Sequence, residues 1–282
     1  MAVIIPTSLD AALTALATTP ETVVVAGGTD LMVDVNEGRR RPEHTLSLRQ
    51  VTQLRERRVD AGTLVIGAAA TYTDLLEPDV AEHAPALAYA ARTVGSPQIR
   101  NAGTIGGNLA TASPAGDTLP VLVALGASVE VAAARGRRIV AIDQFLLGPK
   151  RAALEPAELV VAVHVPIRRG PQDYVKVGVR NAMVIAVASL AFVVDLDARA
   201  VGIGLGSVGP TALGAPAAAA WLEQHLRWEI DRVVLDDEAN AFTFADLVAA
   251  AASPIDDHRS TAEYRRHAIR VLARRALRRA TT

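Results

Sequence analysis

Two stretches of this sequence pair glycines with small polar residues: Ala26-Gly27-Gly28-Thr29-Asp30 and Thr104-Ile105-Gly106-Gly107-Asn108. Adjacent glycines let a backbone turn tightly and approach a ligand with no Cβ in the way. Successive N–H groups turned inward form a concavity for anions, a common means of holding a pyrophosphate. Two such stretches in one chain predict a nucleotide clamped from two sides. For either stretch alone, an ordinary strand-to-helix turn is the competing explanation. The second runs on into Ser113-Pro114-Ala115-Gly116-Asp117, so Thr104, Asn108, Thr111 and Asp117 crowd polar groups around it. Hydroxyls and an amide suit phosphate or polyol oxygens, and a carboxylate suits a sugar hydroxyl. The same residue types also stabilise loops through Asx and Ser/Thr turns.

Other site chemistries are disfavoured. A phosphate loop of the Gly-x-x-x-x-Gly-Lys type needs a lysine, and the chain has only Lys150 and Lys176, neither near a glycine pair. The spacing of Gly103, Gly106 and Gly107 does not match Gly-x-Gly-x-x-Gly. The six histidines are scattered, and none accompanies a Gly-x-Ser-x-Gly nucleophile motif. There is no cysteine, hence no thiolate nucleophile and no thiolate-bound zinc or iron–sulfur centre in this chain. Any reaction here is expected to be a cofactor's.

The elements that must position these residues are legible in outline. Pro6-Thr7-Ser8 followed by Leu9, Ala12, Leu13 and Leu16 predicts a capped amphipathic helix ending at Thr18-Thr19-Pro20. A strand at 22–26 leads into the first glycine pair, 31–35 is extended or briefly helical, and 45–48 is another strand. A second unit opens with a strand at 63–68, a short helix capped by Thr71 or Thr73, and a longer helix over 80–94. The segment 95–117 reads as a loop, followed by a helix at 119–125 and strands at 128–133, 137–140 and 159–165. Gly170-Pro171 marks a boundary. Beyond it, runs at 174–179, 184–195 and 201–208 have the pattern of an antiparallel meander. Helices follow at 216–225, 243–252 and 261–280. The last has an apolar stripe (Ala268, Ile269, Leu272, Ala276, Leu277) and a set of arginines, Arg265 among them, expected on its wet face. Arg39-Arg40-Arg41 and the arginines of 55–58 read as solvated loop charges.

Half of the 282 residues are apolar, enough for a substantial core of small aliphatics. The net charge of −1 gives no reason to expect nucleic acid. The longest apolar run, 183–194, is too short to span a bilayer. The N-terminus has no charged leader, so a cytoplasmic location is the default expectation.

Taken together the motifs resemble the FAD-binding medium subunit of the molybdenum hydroxylases, the family of carbon monoxide dehydrogenase and xanthine dehydrogenase flavoproteins. The matching stretches are Ala26 to Leu31, Gly95-Ser96-Pro97-Gln98-Ile99-Arg100-Asn101-Ala102-Gly103 running through Thr104 to Leu109, and Ser113 to Asp117. Tyr174-Val175-Lys176-Val177-Gly178, Gly206-Ser207-Val208-Gly209-Pro210-Thr211 and Ser260-Thr261-Ala262-Glu263-Tyr264-Arg265-Arg266 extend the likeness to nearly the whole chain.

The resemblance implies an α+β architecture. A PCMH-type FAD-binding domain at 1–170, made of α/β subdomains at about 1–57 and 58–170, precedes a C-terminal domain at 171–282 with a three-stranded antiparallel sheet and helices. It implies that Ala26, Gly27, Gly28, Thr29, Asp30 and Leu31 hold the FAD diphosphate from one side. Thr104, Gly106, Gly107 and Asn108 hold it from the other. Asn108, Thr111 and Asp117 line the rest of the cofactor. Val160 and Lys176 sit near the isoalloxazine, with Lys176 acting electrostatically. Some relatives carry an acidic residue where this chain has Met183, so acceptor preference does not transfer from them.

The family further implies a small subunit with two [2Fe–2S] clusters, a large molybdenum-cofactor subunit, and a dimer of heterotrimers. Electrons would pass to FAD and on to NAD, a quinone or oxygen. A self-sufficient flavin oxidoreductase with its own substrate is the alternative, and a scaffold with a vestigial site a third.

Overall fold

The structure is a computed structural model describing residues 2–19 and 21–282; Met1 and Pro20, the residue expected to stop the first helix, lie outside them. Strand β1 (Ala2–Ile4) precedes helix α1 (Leu9–Thr18), whose first turn is capped by Ser8 accepting from the Ala11 amide at 3.2 Å. Leu9, Ala12, Leu13 and Leu16 face inward, as their helical spacing requires. Strand β2 (Val23–Val25), helix α2 (Leu31–Asn36) and strand β3 (His44–Ser47) complete a parallel sheet in the order β1-β3-β2. Three short strands bury little by themselves. Their core is completed by Ala69, Ala132, Leu159 and Val161 from the next unit.

That unit begins with β4 (Arg57–Asp60) and β5 (Thr63–Gly67), then α3 (Pro78–Ala81), α4 (Pro85–Thr93), α5 (Pro97–Ala102), α6 (Ile105–Thr111) and α7 (Thr118–Leu125). It continues with β6 (Ser128–Ala133), β7 (Gly136–Ala141), α8 (Ile142–Phe145), β8 (Leu146–Gly148), β9 (Arg151–Ala152) and β10 (Leu159–Pro166). Five strands form an antiparallel sheet in the order β4-β5-β10-β6-β7. Strand β10 serves two cores: Leu159 and Val161 face the first unit, Val160, Val163 and Val165 the helices of the second. The step in alternation coincides with a bulge between Val160 and Ala162.

Three expectations change here. The single helix over 80–94 is two, because Pro85 lacks the amide a continuing helix needs and starts a new one at its first turn. The loop over 95–117 contains helices α5 and α6, so the second glycine pair lies inside a helix. Arg57 and Arg58 belong to edge strand β4, where Arg57 pairs with Asp79 at 2.7 Å.

The third unit is a sheet of β11 (Gln172–Val177), β12 (Ala188–Asp195), β13 (Ala200–Gly206) and a two-residue fourth strand, β14 (Leu213–Gly214), beyond the three expected. Helix α9 (Pro216–Glu223), a hairpin of β15 (Leu226–Trp228) and β16 (Val233–Leu235), α10 (Asn240–Ala250) and α11 (Ala262–Thr281) follow. Along β13 the side chains of Val201, Ile203 and Leu205 join the core under these helices. The alternate positions, Gly202 and Gly204, lie so close to α7 that a Cβ at either would overlap the carbonyls of Ala124 and Pro120. Helix α7 is therefore buried between two sheets, which ties the third unit to the second. Arg265 does not lie on the wet face of α11. It is buried, donating to the carbonyls of Val187 (3.0 Å) and Ser207 (2.6 Å) and to Asp257 (2.6 Å). No helix among the described residues is long and apolar enough to cross a membrane.

Candidate functional site

Where the first unit leans on the second, they enclose a cleft of about 490 Å³. Twelve of the fourteen residues singled out in the sequence line it: Ala26 to Leu31, Thr104, Gly106, Gly107, Asn108, Thr111 and Val160. The two glycine stretches meet directly. A Cβ on Gly27 would overlap the backbone carbonyl of Ala102 and come within 2.9 Å of the Gly103 Cα, so only glycine fits. Gly28 turns the chain with φ of +71°, a region that L side chains rarely adopt.

The two stretches use their amides differently. The N–H groups of Gly27, Gly28, Thr29, Asp30 and Leu31 have no protein acceptor among the described residues. Five successive donors on residues that line the cleft are thus left available to an anion. In the second stretch the donors are spent. Ile105 donates to Ala70 (3.0 Å), Gly106 to Ala68 (2.9 Å), Asn108 to Thr104 (3.0 Å), and Gly107 to the Thr104 hydroxyl (3.0 Å), which caps α6. The glycines there serve close approach. A Cβ on Gly106 would come within 2.5 Å of that of Ala68, whereas one on Gly107 would meet only Thr104 Oγ1 at 3.0 Å, on the cleft side. The expectation of bare amides from both turns is thus corrected to one turn.

Several polar residues have structural partners as well. Asn108 Oδ1 accepts from the Thr118 hydroxyl at 2.6 Å, and Ser113 organises its own turn by accepting from the Ala115 amide at 3.3 Å. Asp117 and Lys176 are not among the residues lining the cleft. Lys176 Nζ lies 2.7 Å from Asp117 Oδ2 and donates also to the carbonyls of Thr93 (2.9 Å) and Val184 (3.3 Å). The Tyr174 hydroxyl donates to Asp117 Oδ1 at 2.7 Å. Burial pushes the Asp117 carboxyl upward, opposed by the Lys176 ammonium and the Tyr174 hydroxyl. This knot joins α4, α7, β11 and the 178–187 loop, on which Met183 is exposed with φ of +50°. Tyr72 lines the cleft, and its hydroxyl is pushed up by burial and by the charges of Asp117 and Asp30.

The cleft also has an ionic rim that local sequence pattern does not reveal. Asp34, Arg39, Arg40, Lys150 and Glu158 all line the cleft. Asp34 is paired with Arg39 at 2.7 Å, and Glu158 with Arg138 at 2.6 Å. Those hydrogen bonds hold both carboxyls below their ordinary range. Arg40 and Lys150 have no ion-pair partner among the described residues, and Asp30 is the one unpaired carboxylate facing them. The one hint of it in the sequence is that Lys150 is one of only two lysines and sits in a Gly-Pro-Lys turn.

The cleft, with its run of acceptorless amides and its unpaired cations, is built to receive an anionic ligand. Residues 1–168 match the family model described as the FAD binding domain in molybdopterin dehydrogenase, and residues 173–280 that of the CO dehydrogenase flavoprotein C-terminal domain. The chain is 29% identical over 273 residues to the xanthine dehydrogenase FAD-binding subunit of Escherichia coli O157:H7, covering 94% of this chain and 91% of that subunit. It is 36% identical over 180 residues to the nicotinate dehydrogenase FAD-subunit of Eubacterium barkeri, covering 62% and 61%. Its fold superposes on a chain of a solved Cu,Mo-CO dehydrogenase, cyanide-inactivated form, with a TM-score of 0.88 at 30% identity, covering 100% of this chain and 97% of that one. The chain belongs to the family of FAD-binding subunits of molybdenum hydroxylases, and it is a flavoprotein oxidoreductase subunit whose cofactor is FAD.

Proposed function

We propose that this chain is the electron-relay subunit of a three-component molybdenum hydroxylase, fed by the [2Fe–2S] clusters of a small partner and ultimately by a large molybdenum subunit. FAD, when bound, supplies a centre that takes electrons singly and gives up one or two to NAD, a quinone or oxygen. The observation that carries the reading is the run of five acceptorless amides at Gly27–Leu31, facing a cleft whose opposite wall is the glycine surface of α6. These amides would hold the diphosphate, with Gly107 leaving room beside it. Thr104, Asn108 and Thr111 offer polar edges along the same cleft, and Val160 an apolar wall. Asp117 and Lys176 hold the region next to it rigid, and Lys176 fixes a positive charge there through three oxygen partners. A chain without cysteine leaves the clusters to another polypeptide.

The test is purification of the native assembly with flavin, iron and molybdenum determined together. Co-purifying FAD, iron and molybdenum in fixed ratio is the expected result. A chain that purifies alone, and whose flavin a small molecule bleaches without any iron–sulfur partner, would establish the self-sufficient oxidoreductase instead.

A further inference from the structure

The hairpin of β8 and β9 turns through Pro149 and Lys150, since Gly148 pairs with Arg151. Lys150 takes φ of +56° at the position of this turn where glycine or asparagine avoids the penalty of a left-handed backbone. Its amide donates to the carbonyl of Ala112 at 3.1 Å, and Ala112, itself left-handed at φ of +46°, terminates α6. The hairpin tip is thereby fastened to the far end of the helix that carries the second glycine pair. The side chain so raised lines the cleft, as does Asp34 of α2, whose carboxyl is held down chiefly by Arg39 and to a lesser degree by the charges of Lys150 and Arg40. A strained backbone that retains a long cation, where a glycine would fit without strain, points to a use for the cation.

The rim charges say what that use is. Arg39 is taken up by Asp34, and Glu158 by Arg138, which leaves Lys150 and Arg40 as the cations without an ion-pair partner among the described residues. The ligand proposed for this cleft carries its formal negative charge on two phosphates. We propose that Lys150, with Arg40 on the same cleft, is a specificity residue for those phosphates, adding charge from the hairpin to the anion site that the 27–31 amides offer. The inference rests on the FAD reading of the cleft given above. It assigns to the exposed rim the role that the sequence pattern led one to expect from the second run of amides.

The test titrates the full-length chain, freed of flavin, with FAD and follows flavin fluorescence at several sodium chloride concentrations. Lys150→Gly is expected to weaken FAD binding about tenfold and to make it less dependent on salt, because one screened charge contact is gone. Lys150→Arg should keep both the affinity and the salt dependence. Thermal unfolding of the flavin-free Lys150→Gly variant should show no loss of Tm, since glycine accepts the turn. Unchanged FAD affinity in Lys150→Gly, with tight binding by the unsubstituted chain, overturns the role of Lys150 and leaves the FAD site standing. Weaker binding with an unaltered salt dependence overturns the charge contact as well. Failure of the unsubstituted chain to bind FAD at all overturns the cleft reading and this inference with it.

Discussion

The two glycine pairs look alike in sequence and do different work. At Gly27-Gly28 the backbone is pressed against Ala102 on one side and leaves five amides without partners on the other. At Gly106-Gly107 every amide from Ile105 to Asn108 already has an acceptor, and the missing side chains let α6 lie against Ala68 and keep the cleft wall flat. A Gly-Gly motif therefore has two physical uses, donation and proximity. Only the hydrogen-bond accounting of the folded chain tells them apart.

Substitutions should separate these uses, the largest effect coming from the junction itself. Gly27→Val places a branched side chain inside the Ala102 backbone, which has no rotamer to yield. A stability loss of about 3 kcal/mol or more and loss of bound flavin are expected by thermal unfolding and cofactor extraction.

Lys176→Met leaves Asp117 buried without its ion-pair partner, at a cost of about 3 kcal/mol near neutral pH. The sign with pH follows from the raised carboxyl. A folded-state pKa above the unfolded one gives stability that is complete at acid pH and is lost as pH rises through the folded value. The gap between variant and parent in Tm should narrow on going from pH 8 to pH 5.

Gly106→Ala and Gly107→Ala sharpen the contrast within one helix. The first collides with Ala68 and should cost about 1–3 kcal/mol. The second meets only Thr104 Oγ1 and should change stability by less than about 0.5 kcal/mol while weakening FAD binding. Thr104→Ala removes the α6 cap, with an expected cost of about 1 kcal/mol in thermal unfolding.

Much of the architecture was legible because periodicity and turn residues carry it. The meander, the helix of Leu9 to Leu16 and the strand into Gly27 all follow from local pattern. The helices of 95–117 were hidden because short helices such as α5 and α6, at six and seven residues, have no sustained periodicity. Cleft residues adjoining glycines were found from sequence. Arg40 and Lys150 were not, since an exposed charge shows its purpose only when its neighbours' pairings are known. Arg265 failed for the opposite reason: the helical wheel placed it outside, but three oxygen acceptors from distant segments make its burial tolerable. Asp117 stands out by residue type and Lys176 only through the family resemblance, while their mutual pairing across 59 positions has no local signal.

Amide hydrogen exchange on the full chain, with and without FAD, measures directly which turn's amides hold the diphosphate. Gly27 to Leu31 should exchange rapidly without the cofactor and become protected with it, while Ile105 to Asn108 should be protected in both conditions. Cofactor-dependent protection confined to residues 105–108, with the 27–31 amides exchanging equally fast in both, would contradict it.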